Sequence, residues 1–368
     1  MTNKSTSKGT LLTEIISLSK KFISIHSTEG NKEALEEILS IASNQLTNFI
    51  KKEFFSNDKP SLLIHNSTPE TKHFKIILNA HLDVVPGKKG QFKPIIKEDK
   101  LYGRGAYDMK AAAAVMILVF KELAKDMNYP LALQLVTDEE IGGHDCTQYQ
   151  IEKGITADFV IAGENTSYEI RHKSKSLLWI KLKTTGKSSH AAYPWVGENA
   201  IQKMNRILEK LEKIYPTPTQ AIWRTTVNVA KIETPNETFN RVPDECTVWL
   251  DIRFIPEEEY DILPNIKKII TSDTHIEIVV KENPAYTDPA NPYIQSLQKI
   301  IKTYSKDDGE IKGANGSSDV RFFNTMVKVP GIEFGPKGTC AHGDDESVDV
   351  DSLEMYYHIL KEFLLSVT

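Results

Sequence analysis

The sequence predicts an α/β protein with two domains: a mixed, mostly parallel sheet sandwiched by helices, and a ferredoxin-like βαββαβ domain inserted into it. Three observations lead to this prediction. The chain has 368 residues, which is enough for roughly two domains. Short apolar runs alternate with amphipathic stretches in the first half, and the pattern changes after about Ser174. We therefore expect the first domain to be interrupted by the second.

The first predicted domain comprises residues 1–173 and 283–368. Its strands are short apolar runs of the kind that a parallel sheet buries, and they include Phe74–Ala80, Leu131–Val136 and Asp158–Gly163. Between them, Ala111–Lys125 is apolar on nearly all sides and long enough to form a buried helix. Strands and helices that alternate in this way predict a layered α/β domain.

The second predicted domain spans residues 174–282. Its segments follow the order strand, helix, strand, strand, helix, strand, and they are Leu177–Thr184, Asn199–Ile214, Thr225–Ile232, Thr247–Phe254, Glu257–Ile270 and His275–Val280. That order is typical of the split βαβ unit of ferredoxin-like domains. Because this unit is complete by itself, we expect the residues after about Asn283 to return to the first domain.

Composition argues against several classes of protein. Lys and Arg number 45 against 50 Asp and Glu, and the resulting net charge of −5 disfavours a nucleic acid partner. Three cysteines without paired spacing predict neither a disulfide framework nor a cysteine-rich zinc site. The longest apolar run, Ala111–Phe120, is shorter than the roughly 20 residues that cross a membrane. Since the N-terminus has no signal-peptide core, we expect a cytoplasmic protein without a membrane partner.

Acidic residues and histidines stand where the predicted strands end. The carboxyl ends of parallel strands meet in one crevice of an open sheet, so these side chains can converge there despite their separation in sequence. A further carboxylate, Asp108, directly precedes the predicted buried helix. The strand-end residues are His81, Asp83, Asp138, Glu139, Glu140, Glu164 and His342.

This clustering of acidic groups indicates a metal site. Three or more carboxylates repel one another in a water-poor crevice unless a cation compensates their charge. Imidazole and carboxylate together suit zinc, with cobalt and manganese as alternatives, better than calcium or magnesium. Two divalent ions that share one carboxylate would accommodate two histidines and three acidic ligands. The lack of cysteine ligands favours a catalytic site over a structural one.

Local geometry suggests further roles within the cluster. In an extended segment residues i and i+2 point to the same side, so Asp83 can orient the imidazole of His81. The adjacent side chains of Glu139 and Glu140 point in different directions. One of the two can therefore bind metal while the other accepts a proton from the attacking water.

Seven motifs between Asn79 and Val348 resemble those of a known family. They are NAHLDVVP, LYGRGAYDMK, TDEEIGG, AGEN, GKSSHAAYP, the stretch from NRVP to DIRF, and TCAHGDDESV. The family is that of the dinuclear zinc metallopeptidases, which contains glutamate carboxypeptidases, acetylornithine deacetylase, succinyl-diaminopimelate desuccinylase and the aminoacylases. The resemblance covers most of the chain.

The resemblance implies a role for each candidate residue. Asp108 would bridge the two metals, Asp83 would hold His81, and Glu139 would act as the general base. The inserted domain would form a lid and a homodimer surface, and its His190 would stabilise the oxyanion, often from the opposite subunit. The implied metal ligands are His81, Asp108, Glu140, Glu164 and His342, and the implied ligands of a substrate carboxylate are Asn240, Arg253 and Arg321.

The predicted function is a two-metal hydrolase that cleaves an amide bond next to a free carboxylate, in an N-acyl amino acid or a short peptide. Glu164 supports this substrate class, because the aminopeptidase-type members of the family that the chain resembles carry Asp at this ligand. Two alternatives stay open: an aminopeptidase or dipeptidase of the same family, and a catalytically silent, metal-binding regulatory relative. For Arg253, an ion pair with Asp251 or Glu245 is the alternative to substrate binding.

Overall fold

The computed structural model describes residues 5–307 and 309–367, and their contacts divide the chain into two units. The large unit contains the chain up to His172, Tyr286–Lys312 and the residues from Ser318 onward. The small unit contains Lys173–Ala285 and Gly313–Ser317. Within the described part of the chain, we find no helix that is both long and apolar enough to cross a membrane.

Helices and strands alternate along much of the described chain. The helices are α1 (Ser5–Ser24), α2 (Lys32–Asn44), α3 (Lys110–Leu123), α4 (Tyr149–Glu152), α5 (Ala200–Ile214), α6 (Ile262–Ile269), α7 (Pro292–Tyr304), α8 (Val320–Met326) and α9 (Val350–Ser366). The strands are β1 (Ile50–Ser56), β2 (Lys59–His65), β3 (His73–His81), β4 (Ile95–Lys97), β5 (Lys100–Tyr102), β6 (Leu131–Val136), β7 (Thr156–Ala162), β8 (Ile170–Ser174), β9 (Ser176–Thr185), β10 (Thr226–Glu233), β11 (Glu245–Phe254), β12 (Thr274–Lys281), β13 (Ile311–Ala314), β14 (Gly331–Glu333), β15 (Gly338–Thr339) and β16 (Ser347–Asp349).

The main sheet has eight strands in the order β1-β2-β6-β3-β7-β14-β8-β13. Its central strands β6, β3, β7 and β14 are parallel, whereas β1 and β2 join antiparallel at one side. In register, His81 lies opposite Val136, Asn79 opposite Ala162, and Ala162 opposite Glu333. The carboxyl ends of the four central strands therefore lie side by side. The predicted fold class, a mixed sheet with a parallel centre and an inserted domain, is confirmed.

Helix α3 secures this sheet from one side. It packs against β3, α1 and α9, and its side chains are buried around nearly the whole circumference. Ile76 and Leu78 of β3 are fully buried in the same core. Each such side chain contributes about 1.5–3 kcal/mol to the free energy of folding. This packing holds the end of β3, where His81 lies, and the segment before α3, where Asp108 lies.

The small unit contains a four-stranded antiparallel sheet in the order β10-β11-β9-β12. Together with α5 and α6 this makes the chain order βαββαβ of a ferredoxin-like unit. Alternate residues of β9 and β11, such as Ile180 and Leu250, pack with Met204 and Ile266 of the helices. Helix α6 begins later than Glu257, the start that the sequence predicts, because Pro256–Glu258 forms a 3₁₀ turn.

The small unit extends slightly beyond the predicted range 174–282, since it also contains Lys173 and residues 283–285, and it contains one separate segment that the sequence assigns to the first domain. Gly313–Ser317 falls within the predicted range 283–368 of the first domain, but its contacts belong to the small unit. The Lys175 N–H donates to the Ala314 carbonyl at 2.9 Å. A Cβ on Gly313 would lie 2.2 Å from the ring of Trp223, so only glycine allows the ring to approach this closely. Such a packing contact leaves no periodic signal in the sequence.

Candidate metal centre

Three predicted ligands meet at the end of β3. His81 Nε2 lies 3.1 Å from Asp108 Oδ1 and 3.9 Å from Glu164 Oε2. Each of the three residues is buried, and one donor atom from each lies within 4.8 Å of the other two. Glu164 follows β7, the direct neighbour of β3 in the sheet. The parallel register therefore brings these side chains together.

A second group of three donors shares Asp108 with the first. His342 Nε2 lies 3.2 Å from Asp108 Oδ2 and 3.1 Å from Glu140 Oε2, and the donor atoms of this group also lie within 4.8 Å of one another. Asp108 thus directs one carboxylate oxygen to each histidine. The structure brings all five of the predicted metal ligands together around this shared carboxylate.

The electrostatics of both groups reflect a crowding of negative charge. Burial lowers the pKa of His81, but the hydrogen bond with Asp108 and nearby carboxylates raise it well above its ordinary value. Hydrogen bonds with Asp108 and Glu140 raise the pKa of His342 to about 10. Burial, opposed in part by His81, raises the pKa of the Glu164 carboxyl well above its usual range. Protons bound to these histidine and carboxyl groups would therefore compensate the negative charge of the clustered carboxylates.

The donor set fits divalent cations. Nε2 of a histidine and carboxylate oxygens are the ligands of catalytic zinc sites, and a carboxylate with one oxygen in each group suits a two-metal site. Glu140 Oε1 is buried and has no hydrogen-bond partner within the described residues. A buried carboxylate oxygen without a partner is costly unless a cation satisfies it.

Asp83 lies next to both His81 and Glu140. Its Oδ1 is 3.6 Å from His81 Nδ1, whereas the closer partner of that nitrogen is the Asp83 main-chain carbonyl oxygen at 3.1 Å. Asp83 Oδ2 accepts a hydrogen bond from the Glu140 N–H at 3.0 Å. The predicted role of the Asp83 side chain as the partner of His81 stays a prediction. Its bond to the Glu140 main chain is a contact that sequence reasoning missed.

Glu139 begins the 3₁₀ turn Glu139–Ile141, which follows β6. Burial raises the pKa of its carboxyl well above the usual range; the charge of His81 opposes this shift, and the negative charges of Asp319, Glu140 and Asp108 add to it. A carboxyl group whose pKa is raised is a stronger base than an ordinary carboxylate, so it can accept a proton and donate it later. The position of Glu139 therefore suits proton transfer, and its role as general base stays a prediction.

The turn that carries Glu139 ends in two glycines with left-handed backbone, Gly142 at φ 117° and Gly143 at φ 68°. Arg321 is buried, and its guanidinium donates to the carbonyl oxygens of Gly142 at 2.5 Å and Ser318 at 3.0 Å. A Cβ on Gly143 would lie 2.1 Å from Asp319 Oδ1. Arg321 thus braces the turn, a role that sequence reasoning missed. Its predicted contact with a substrate carboxylate stays a prediction.

Two further residues that the sequence analysis did not select contact Asp108. The Asn165 side-chain amide donates to Asp108 Oδ2 at 2.6 Å, and Glu346 Oε1 accepts from the Asp108 N–H at 3.0 Å. Asn165 directly follows the ligand Glu164, and Glu346 lies in the same motif as His342. Their position inside these two motifs was the one feature of the sequence that could have indicated their contact with Asp108.

The candidate residues of the small unit lie on its loops and on β11. His190 and Asn240 are exposed, and their segments are joined by a hydrogen bond from the Ala191 N–H to the Asn240 carbonyl oxygen at 2.8 Å. Arg253 donates to both carboxylate oxygens of Asp251, at 2.8 and 3.1 Å. The ion pair considered for Arg253 is therefore present. The predicted roles of all three residues stay predictions.

Comparison with known protein families identifies the family of this chain. The family model described as "Peptidase family M20/M25/M40" matches residues 77–366, which is most of the sequence. The chain belongs to this M20 family. It is therefore a metal-dependent hydrolase of amide bonds, and the predicted enzyme class and the resemblance are confirmed.

Relatives of this M20 protein match along nearly its full length. A succinyl-diaminopimelate desuccinylase of Buchnera aphidicola subsp. Cinara cedri is 29% identical, and the match covers 96% of this chain and 100% of that protein. A probable carboxypeptidase of Emericella nidulans is 28% identical, with 92% and 86% covered. The crystal structure of aminopeptidase PepT from Bacillus cereus is similar with a TM-score of 0.79 at 16% identity, and it covers 97% of this chain and 98% of that chain. This last likeness concerns the fold alone.

Proposed function

We propose that this M20 hydrolase uses two divalent cations, with zinc as the first choice, to cleave an amide bond adjacent to a free carboxylate. The observation that carries the proposal is the shared carboxylate of Asp108, which faces His81 through Oδ1 and His342 through Oδ2. His81 and Glu164 would complete one cation site with Asp108, and Glu140 and His342 would complete the other. Bound at these sites, the cations would supply Lewis-acid activation of a water and of the amide carbonyl.

Glu139 is the group proposed to move the proton. Its carboxylate would accept the proton of the attacking water and then donate it to the nitrogen of the leaving amine. The raised pKa of the Glu139 carboxyl supports both halves of this transfer, because the group is then a strong enough base to accept the proton. The brace from Arg321 to the Gly142 carbonyl would keep the turn of Glu139 in one position.

Residues of the small unit are proposed to bind the substrate. His190 would donate a hydrogen bond to the oxygen that becomes negative during attack, which can lower the barrier by a few kcal/mol. Arg253 and Asn240 would bind the substrate carboxylate, since a planar guanidinium suits bidentate recognition. Arg253 already holds the Asp251 carboxylate in this way, so a substrate carboxylate would compete with Asp251.

A homodimer through the small unit is part of the proposal. The two edge strands of its sheet, β10 and β12, expose apolar side chains, among them Val229, Ile232, Ile278 and Val279. Exposed apolar residues on an open sheet edge favour pairing with another chain. Sedimentation velocity of the purified protein tests this point, and a monomer at micromolar concentration would contradict it. The cytoplasmic location stays a prediction.

Two names among the relatives support the substrate class. One relative is named a desuccinylase of succinyl-diaminopimelate and another a probable carboxypeptidase. We propose that this chain likewise acts on N-acyl amino acids or on short peptides with a free C-terminal carboxylate. The choice of Glu164 as ligand, in place of the Asp of aminopeptidase-type members, is consistent with this class.

A substrate panel tests the proposal directly. Protein stripped with a chelator and reloaded with zinc would be given N-succinyl amino acids, N-acetyl amino acids and dipeptides, each also as its C-terminal amide. We expect two zinc ions per chain and hydrolysis of at least one substrate only in its free-carboxylate form. Cleavage that requires a free amino terminus would identify an aminopeptidase instead. Two bound ions without hydrolysis of any substrate would favour the silent, regulatory relative.

A further inference from the structure

A buried ion pair lies behind the candidate metal centre. Arg104 Nη1 donates to Glu346 Oε2 at 2.6 Å, and the two side chains are only 4% and 0% exposed. Buried pairs of this kind contribute little to net stability, because the desolvation of both charges offsets their attraction. The contacts that the pair makes with the main chain indicate another purpose.

The carboxylate of Glu346 binds three main-chain N–H groups of the segment before α3. Its Oε2 accepts from Gly105, and its Oε1 accepts from Tyr107 and Asp108, each at 3.0 Å. Gly105 has a left-handed backbone at φ 84°. Charge-assisted hydrogen bonds to N–H groups are about twice as strong as neutral ones. Glu346 therefore determines the path of the chain into Asp108, the carboxylate that both donor groups share.

The second terminal nitrogen of Arg104 contacts the loop of His342, a member of the other donor group. Arg104 Nη2 donates to the main-chain oxygen of His342 at 3.0 Å and lies 3.5 Å from that of Pro86. His342 itself has a left-handed backbone at φ 63°, and its side chain is 49% exposed. His81, in contrast, is buried at the end of β3. Arg104 therefore holds the main chain of His342, the histidine whose side chain is the less buried of the two.

We propose that Arg104 and Glu346 are positioning residues that set the affinity of the cation site formed by Asp108, Glu140 and His342. This inference rests on the proposed two-cation function. Through one fork-shaped guanidinium, Arg104 links the segment of Asp108 to the loop of His342. The site of His81, Asp108 and Glu164 depends on the pair only through Asp108, because His81 is the last residue of β3 and Glu164 follows β7.

The two members of the pair have separable effects. Arg104→Lys keeps a positive charge for Glu346 but replaces the fork with a single point, so it cannot also hold the His342 carbonyl. It should weaken one cation site and spare the other. Glu346→Gln places an amide NH₂ where an oxygen accepts main-chain N–H groups. Since this disturbs Asp108, it should weaken both sites.

The experiment is a zinc titration of the metal-free protein against a competing chelator, with stoichiometry checked by native mass spectrometry. We expect two ions to bind wild type. In Arg104→Lys one ion should keep its wild-type affinity and the other should bind at least tenfold more weakly, within the roughly 10- to 100-fold range for residues that orient metal ligands. Glu346→Gln should weaken both ions. The control Arg206→Lys, at an exposed position of α5, should match wild type.

Several outcomes would overturn the inference. The inference fails if Arg104→Lys binds each of the two ions as tightly as wild type does. It also fails if that variant loses affinity equally at both sites. Circular dichroism and thermal unfolding of each metal-free protein check that the variants fold. If Arg104→Lys does not fold, the double variant Arg104→Gln/Glu346→Gln replaces the ion pair with a neutral pair, and wild-type affinity for both ions in it would refute the inference. A wild type that binds neither zinc nor cobalt nor manganese would instead refute the proposed function.

Discussion

The two units of the molecule hold their candidate residues in different ways. In the large unit, His81 and Glu164 are buried and lie 3.9 Å apart, although their positions in the sequence are far from each other. In the small unit, His190 and Asn240 are exposed on loops, and Arg253 is held by Asp251. The large unit thus presents an assembled set of donors, whereas the small unit presents separate groups on its surface.

The physical origin of this difference is the sheet. Parallel strands in register place their carboxyl ends side by side, so residues that follow them converge without any further contact. Loops and the open face of an antiparallel sheet impose no such convergence. We therefore expect substitutions in the large unit to remove chemistry or fold, and substitutions in the small unit to reduce efficiency.

The largest effect is expected from Glu139→Gln in the large unit. The amide cannot accept the proton of the attacking water, so kcat should fall about 10³-fold. Zinc content should stay at the wild-type value, because Glu139 is not among the five clustered donors, and the thermal unfolding temperature should not fall, because a neutral amide is less costly to bury than a carboxylate. The exposed control Glu29→Gln should keep full activity. Near-normal turnover in Glu139→Gln would remove Glu139 from the mechanism and weaken the contrast between the units.

A smaller loss is expected from His190→Ala in the small unit. Removal of one oxyanion donor should lower kcat about 10²-fold without loss of zinc. If His190 acts on the opposite subunit of a dimer, a mixture of His190→Ala with Glu139→Gln should recover activity, since one site of each mixed dimer then has both groups intact. A mixture that stays inactive would indicate action within one chain. An unchanged kcat in His190→Ala would exclude the predicted role.

The free energy of unfolding should depend on pH because of a buried histidine in the large unit. Burial, with a smaller contribution from Lys52, lowers the pKa of His65 on β2 from 6.5 to about 4. The unfolded chain therefore binds a proton at higher pH than the folded one, and stability falls as the pH falls from 6.5 towards 4. The full loss is roughly 3 kcal/mol.

Chemical denaturation at pH 7.5, 5.5 and 4.5 measures this loss against His65→Asn, which keeps an acceptor for the Ser67 N–H but does not titrate in this range. The difference in unfolding free energy between wild type and the variant isolates His65 from the buried carboxyls that titrate in the same interval. A difference that is independent of pH would show that His65 does not carry the effect.

The smallest effect is expected from Arg253→Met. If Arg253 binds the substrate carboxylate, KM should rise about tenfold with kcat nearly unchanged, because the interaction is of the size of a hydrogen bond to a charged group. Asp251→Asn removes the ion pair alone and should leave KM unchanged or lower it. If both variants change only thermal stability, and by less than about 1 kcal/mol, Arg253 is a surface ion pair.

Much of the large unit could be predicted because its signals are local. The apolar runs that became β3, β6 and β7 each precede a candidate ligand or base, and the rule for parallel strand ends supplied the convergence. The small unit was predictable as a fold for the same reason: alternation in β9 and β11 and the helical spacing of α5 are periodic patterns. Its loops have no period, so no pattern predicts where their side chains lie.

The contacts that sequence reasoning missed share one property. Arg104 and Glu346 are 242 positions apart, and Arg321 and Gly142 are 179 apart. Gly142 and Arg321 lie on no pair of neighbouring strands, whereas Arg104 and Glu346 flank β5 and β16, which pair antiparallel with Tyr102 opposite Ser347. Gly313 beside the ring of Trp223 is a third case. The contacts of Arg321 and Gly313 depend on how separate segments pack after the sheets and helices have formed, and the three-residue strands β5 and β16 are too short to leave a periodic signal that predicts their pairing.

The amino-acid sequence by itself determined the family and the class of chemistry, and it predicted the candidate donors: imidazoles and carboxylates placed after buried strands, together with a carboxylate proposed for proton transfer. Only the tertiary structure decided that Asp108 directs one oxygen to each histidine, that Asp83 holds the Glu140 main chain, and that Arg104 and Glu346 lie behind the centre. The reason is that periodic patterns of burial can be read from neighbouring residues in the sequence. The distance between two side chains on different loops, in contrast, is fixed only when the whole core has packed.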